Sequence, residues 1–196
     1  KKISYRLFSG CTSLSEMRIP DGVTAINGYA FQGCTALERI VVPGSVTYIS
    51  NDVFEGCARL QSAGPIGGDD NFQFGWTETI PKDAFAGCPG LTSVTIPDGI
   101  TTIGSKAFAD CQALHSITLP DSITSIGSSI FENNNSVRDL YYAGSEAQWE
   151  SIDIGIPNPQ LETVTIHYNS AVPGQPGDNG RAKGPLLLED EETGEL

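Results

Sequence analysis

A short motif returns six times along this chain at nearly constant spacing, and that periodicity limits the fold more than any other feature. It reads "FSGC" from Phe8, "FQGC" from Phe31, "FEGC" from Phe54, "FAGC" from Phe85 and "FADC" from Phe108. A sixth copy, "FENN" from Phe131, carries Asn134 in place of the cysteine. Successive copies end 23, 23, 31, 23 and 23 residues apart. A unit of this length cannot enclose a core alone, so copies must stack and share one.

Between the marks, apolar residues keep fixed phase. Leu14, Leu37, Leu60, Leu91, Leu114 and Val137 come first, then Met17, Ile40, Ala63, Val94, Ile117 and Leu140. Ile19, Val42, Ile96 and Leu119 follow, each trailed by a proline, and Ile26, Ile49, Ile80, Ile103 and Ile126 complete the turn. The alternation in "LTSVTIP" (residues 91–97) is that of a strand with one buried face. Proline then ends it, because it cannot donate to a ladder. "ITTIG" offers a second short extended piece, and "KAFADC" a turn of α- or 3-10 type. The sequence therefore predicts a β-rich solenoid of about six rungs, with short parallel strands and one short helical turn per repeat. Six rungs at ~4.8 Å make a rod of roughly 30 Å, with the in-phase phenylalanines as its spine.

These residues carry a resemblance. "LTSVTIPDGITTIGSKAFADC" and "LHSITLPDSITSIGSSIFENN" resemble the BspA-type leucine-rich repeat of bacterial surface and secreted proteins, over residues 3 to 169. The common Asn or Cys ladder of leucine-rich repeats is replaced here by Gly22, Ser45, Gly99 and Ser122, so the turn after the strand must be satisfied in another way. The segment "YYAGSEAQWESIDIGIPNPQLETVTIHYNS" resembles the closing unit of such arrays: Trp149, Ile152 and Ile154 supply apolar bulk near a short helix, and "LETVTIHY" a last strand that would cover an open edge. The domain reading is a repeat array over 1–133 with an enlarged repeat at 57–88, a C-terminal capping repeat over 134–169, and a linker and acidic tail over 170–196. Ile3 and Phe8 fall in phase with the later copies, from which upstream repeats or a cap are expected. The tail holds "AVPGQPGDNG", a linker by composition, and Leu186, Leu187 and Leu188, which would dock on a surface if ordered.

The net charge of −13 argues against nucleic acid or anionic membrane as partner, since both require a basic patch. No apolar run is long enough to span a bilayer. Cys11, Cys34, Cys57, Cys88 and Cys111 lie too far apart for a zinc site, which needs ligands two to four residues apart. Stacked in register, their Cβ atoms stay near the rung spacing, wider than the ~3.5–4.5 Å of a disulfide. They are expected to form a ladder of buried free thiols. The two histidines, His115 and His167, belong to no nucleophile or base constellation; His115 occupies a slot that other copies fill with Ser15, Glu38, Gln61, Thr92 and Arg138, as a solvated position would. Neither catalytic residues nor a cofactor are expected.

What the resemblance implies is recognition: a non-enzymatic, adhesion-type module, at the cell surface or secreted, that binds a host or bacterial macromolecule such as an extracellular-matrix protein or a glycan. A structural spacer within a larger surface protein, and a glycan-binding accessory module, remain alternatives. Candidate interaction residues on the outward strand positions are Arg18, Arg39 and Tyr141. The long interval, "SAGPIGGDDNFQFGWTETIP" (residues 62–81), supplies four more: Asp69, Asp70, Phe72 and Trp76. "GPIGGDDN" reads as a turn and "NFQF" as a strand, so an enlarged rung with a protruding loop is expected, in which Phe72 and Phe74 or Trp76 replace lost core contacts. Asp69 and Asp70 are two oxygen ligands where calcium needs six to eight.

Overall fold

The computed structural model describes residues 1–50 and 52–170. The tail, with its three leucines, lies outside the described residues. Each rung has an in–out alternation long enough for two short strands, and these strands assemble into parallel sheets. The larger sheet contains β2 (Glu16–Arg18), β4 (Arg39–Val42), β6 (Ser62–Pro65), β7 (Phe72–Phe74), β9 (Ser93–Thr95), β11 (Ser116–Leu119), β13 (Asp139–Tyr142) and β15 (Thr165–His167). The opposite side of the rod carries two smaller sheets. One holds β1 (Lys2–Ile3), β3 (Ala25–Ile26) and β5 (Tyr48–Ile49). The other holds β8 (Thr79–Ile80), β10 (Thr102–Ile103), β12 (Ser125–Ile126) and β14 (Asp153–Ile154).

The register repeats the period of the sequence. Ile117 pairs with Val94 on one side and Leu140 on the other, and Ile103 with Ile80 and Ile126. Every rung thereby delivers the same side chain to the same layer of the core. Phe31, Phe54, Phe85, Phe108 and Phe131 are buried, and Phe8, Phe31 and Phe54 stack with centroids 5.2 and 5.7 Å apart.

The expected helical turn at each Phe-x-x-Cys is a pair of 3-10-type bonds, such as Ala86 N to Asp83 O (3.1 Å) and Cys88 N to Phe85 O (3.2 Å). Two left-handed residues bracket it in each rung, for example Lys106 (φ 58°) and Asp110 (φ 57°). A residue at positive φ cannot continue a right-handed helix, so the turn stops after one round. Within it, cysteine thiols donate to the phenylalanine carbonyl of the preceding rung: Cys34 to Phe8 (3.1 Å), Cys57 to Phe31 (3.2 Å) and Cys111 to Phe85 (3.1 Å). All five cysteines are free thiols; Cys11 is exposed and the other four are buried.

The missing asparagine ladder has a substitute. Ser45 Oγ accepts from Gly22 N (3.2 Å) and donates to Val23 O (2.8 Å); Ser122 repeats the bridge to Gly99 N (3.2 Å) and Ile100 O (2.7 Å). Gly22 (φ 83°) and Gly99 (φ 91°) make the left-handed turn that the serine of the next rung secures.

At the C-terminal end, α1 (Glu146–Glu150) starts from a capping box between Ser145 and Gln148 and presses Trp149 edge-on against Tyr142 (5.3 Å). Buried Asn158 accepts from Ile130 N (2.9 Å) and donates to Gly127 O (2.8 Å) and Gly155 O (2.5 Å). Its amide thus satisfies backbone groups that a further rung would otherwise have met.

Candidate functional site

The long interval does not simply widen a rung. It makes two strands, and their spatial order is reversed: the large sheet runs β4–β7–β6–β9. The six residues 66–71 return the chain to the start of the strand, a short path that suffices because β6 and β7 are only 4 and 3 residues long. Ile40 and Val42 pair with Phe72 and Phe74, and these in turn with Ala63 and Pro65. Bulk explains the order. Ala63 and Pro65 leave the core side of β6 nearly empty, and Phe72 and Phe74 fill it.

This corrects the expectation that Phe72 and Trp76 face a partner. Phe72 is fully buried between Phe54 (5.1 Å) and Phe85 (4.9 Å), in edge contact with both, so it joins the spine as an additional ring. Trp76 is 5% exposed, stacks on Phe74 (5.1 Å) and donates its indole N–H to Val46 O (2.7 Å). Burial of these rings is what makes the added strand stable. Asp70 is also withdrawn, at 6% exposure. Burial pushes its carboxyl above the ordinary carboxylate range, partly countered by a hydrogen bond from Ser62, and its Oδ2 has no partner. Asp69 is exposed, so the two carboxylates have separate environments. No cluster of three potential metal-ligating side chains occurs among the described residues.

The loop of residues 66–71 is tied down rather than protruding. Gln73 accepts from Gly67 N (3.4 Å) and donates to Gly68 O (2.7 Å), Ile66 N donates to Phe74 O (3.0 Å), and Asn71 Nδ2 donates to Glu38 O (2.9 Å). Gly44 and Gly75 meet backbone to backbone; a Cβ on Gly44 would overlap the Gly75 carbonyl.

The strand added on one side has a counterpart on the other. The smaller sheet is interrupted between β5 and β8. In the paired steps, an N–H just past the second strand closes the ladder: Ser50 N to Ile26 O (3.0 Å), Gly104 N to Ile80 O (2.8 Å), Gly127 N to Ile103 O (2.7 Å) and Gly155 N to Ile126 O (2.8 Å). Pro81 occupies that slot after β8 and has no N–H to give. The sequence signal for the interruption was therefore this proline, which reading the interval as a wide rung overlooked.

The remaining candidates lie on the outward face of the large sheet. Arg18 and Arg39 are exposed on β2 and β4. Tyr141, on β13, stacks on His167 (4.7 Å, 13°), whose Nε2 lies 2.8 Å from Asp139 Oδ1. Five strand steps separate β4 from β13, roughly 24 Å at the usual spacing. The arginines and the tyrosine therefore belong to one face but not to one pocket. His115 is exposed, as its variable slot implied.

The comparisons with known proteins follow this geometry. The model of the "BspA type Leucine rich repeat region" matches six copies over residues 1–64 and 78–153 and leaves out the segment that forms β7. A leucine-rich cell surface protein from Faecalibacterium prausnitzii is similar in structure at 36% identity and a TM-score of 0.55. The match covers 71% of this chain and 35% of that one, so the chain spans about a third of its length. A leucine-rich repeat protein of T. pallidum, at 24% identity and a TM-score of 0.56, is covered over 80% of its length by 87% of this chain. The pneumococcal vaccine antigen PcpA shares the fold at 15% identity, with a TM-score of 0.53 over 80% of this chain and 42% of its own. No curated protein matches at a significant level. Six in-phase repeats, open parallel sheets and a matching family model over most of the array lead to one conclusion: this chain belongs to the BspA-type leucine-rich repeat family.

Proposed function

We propose that this repeat module is a non-enzymatic recognition element, displayed at the cell surface or secreted, which binds a macromolecule through the outward face of its large sheet. The observation that carries this reading is the width of that face: eight parallel strands in one sheet, with side chains of every rung in line. Small hydroxylic residues, Ser62, Ser93, Ser116 and Thr118, fill its middle, while Arg18 and Arg39 mark one end and Tyr141, His167 and Asp139 the other. A surface this broad suits a protein or polymer rather than a small substrate. A surface location accords with the Faecalibacterium relative, which is described as a cell surface protein.

Immobilised matrix proteins and glycans, screened against the intact chain, test this reading. Binding to one of them that falls at least tenfold, about 1.4 kcal/mol, in Arg18→Glu/Arg39→Glu or in Tyr141→Ala supports it. Absence of any binder at micromolar concentration favours a structural spacer instead, and binding that ignores all three residues places the contact on another face.

A further inference from the structure

The interruption between β5 and β8 leaves a strand-wide slot. An additional strand in the large sheet spaces β4 and β6 by one more interval, so the opposite side of the rod must open by a comparable ~4.8 Å. Two features prop it open from within: Phe72 lies between the rings of Phe54 and Phe85, and the Trp76 indole is bonded to Val46 O. At the surface the opening is a cavity of about 140 Å3, lined by Thr47, Tyr48, Ile49, Ser50, Lys82 and Asp83.

One wall of this cavity is the edge of β5, and the other is made by Lys82 and Asp83, just past the end of β8. Thr24 O accepts from Thr47 N (3.1 Å) and Tyr48 N (3.3 Å), and Ile26 O from Ser50 N (3.0 Å). By the same register, Thr47 O and Ile49 O are the carbonyls that β5 turns towards the slot, and neither accepts a backbone hydrogen bond from β8 among the described residues. On the facing edge, Thr79 occupies the place of Tyr48, Thr102 and Ser125, whose N–H groups donate backwards. Tyr48 stands at the rim with 56% of its surface exposed. Two acceptors on one wall and a donor on the other are what an inserted extended backbone would satisfy.

We propose that this slot receives an extended, basic-flanked peptide segment of a partner protein, which adds as a strand between β5 and β8. The charge around it selects the partner. Asp52, Glu55 and Glu78 border the slot in sequence, while Asp83 is buried with Lys82 (3.6 Å) and Lys106 beside it. A segment flanked by lysine or arginine balances this excess. The slot faces away from the large sheet, so this contact is independent of the binding face proposed above.

The experiment uses the full chain labelled with 15N, and an end-capped Lys-Thr-Val-Thr-Val-Lys peptide as probe. Recognition of backbone tolerates side-chain choice, so a generic strand former suffices. In the free chain, the Thr79 amide is expected to exchange with solvent at least ~100-fold faster than those of Thr102 and Ser125, which are bonded in the ladder. At millimolar peptide, shifts confined to residues 47–50 and 79–83, with protection of the Thr79 amide, support the proposal. Thr79→Pro, which removes the slot-facing donor, should then weaken binding about tenfold without changing the remainder of the spectrum. The proposal is overturned by an absence of shifts at millimolar peptide, by shifts on the large sheet instead, or by equal binding of the N-methylated peptide. It is equally overturned if Thr79 is already protected in the free chain, since the chain itself or a second copy would then fill the slot.

Discussion

Phe72→Ala is the sharpest test of how the long interval is built. In the structure the ring is fully buried, 5.1 Å from Phe54 and 4.9 Å from Phe85. Truncating a buried phenylalanine costs about 3–5 kcal/mol, including the cavity left behind. Loss of two edge contacts, each worth ~0.5–1.5 kcal/mol beyond area, puts this site towards the upper part of that range, so about 4 kcal/mol is expected. At 2–4 °C per kcal/mol for a chain of this size, the melting temperature falls by roughly 8–16 °C. Urea denaturation followed by circular dichroism measures the free energy, and amide exchange locates it. The Ile40 amide, bonded to Asn71 O (2.9 Å), and the Gly75 amide, bonded to Val42 O (2.9 Å), should lose protection first. A looping-out of the interval predicts something different: a cost under ~1 kcal/mol, as for exposed substitutions, and unchanged exchange at both amides. That result would refute the intercalated strand.

Three further outcomes are expected. Burial pushes the Cys57 and Cys111 thiols up to about 12 from an ordinary 9.0, so above pH 9 the unfolded chain releases protons that the folded chain keeps, and stability, full below pH 9, falls as pH rises towards 12. Burial raises Cys88 and Cys34 as well, so several thiols share this alkaline slope, and Cys111→Ala should flatten an alkaline denaturation series by about 2–3 kcal/mol at pH 11; native alkylation should meanwhile modify Cys11 alone. Asp70→Asn should raise stability at neutral pH, because a carboxyl held above its ordinary range stabilises the fold only at acid pH and detracts as pH rises through its folded value; chemical denaturation at pH 4 and 7 reads the difference, and a less stable variant at pH 7 would show that the charge has a function in the fold. Gly44→Ala should cost about 2 kcal/mol or more in thermal denaturation, as overpacking against a fixed backbone does, since its Cβ meets the Gly75 carbonyl.

Much of this fold was legible residue by residue. The Phe slot, the small residue before it, the Ile of the second strand and the proline after the first all sit where the period put them. The spacing gave the buried thiol ladder of Cys34, Cys57, Cys88 and Cys111, but not that Cys11, in the first rung, is exposed. Less of the candidate site was. Arg18, Arg39 and Tyr141 were assigned to the outward face from alternation, and they lie there, but the distance between β4 and β13 was not readable. Phe72, Trp76 and Asp70 were offered as surface because they fall in the aperiodic stretch, yet burial claims all three. Asn158, which closes the last rung, carried no signal beyond its identity.

The sequence by itself determined the solenoid, because a 23-residue repeat makes each residue's nearest neighbour its own counterpart in the next copy, and alternation then decides which side is core. Only the tertiary structure decided what the extra residues do. Two strands of the same chain, β6 and β7, compete for one edge of β4, and alternation is silent about which wins. The outcome follows from volume: Phe72 and Phe74 fill a layer that Ala63 and Pro65 cannot, and the smaller sheet, denied a donor at Pro81, opens across from them.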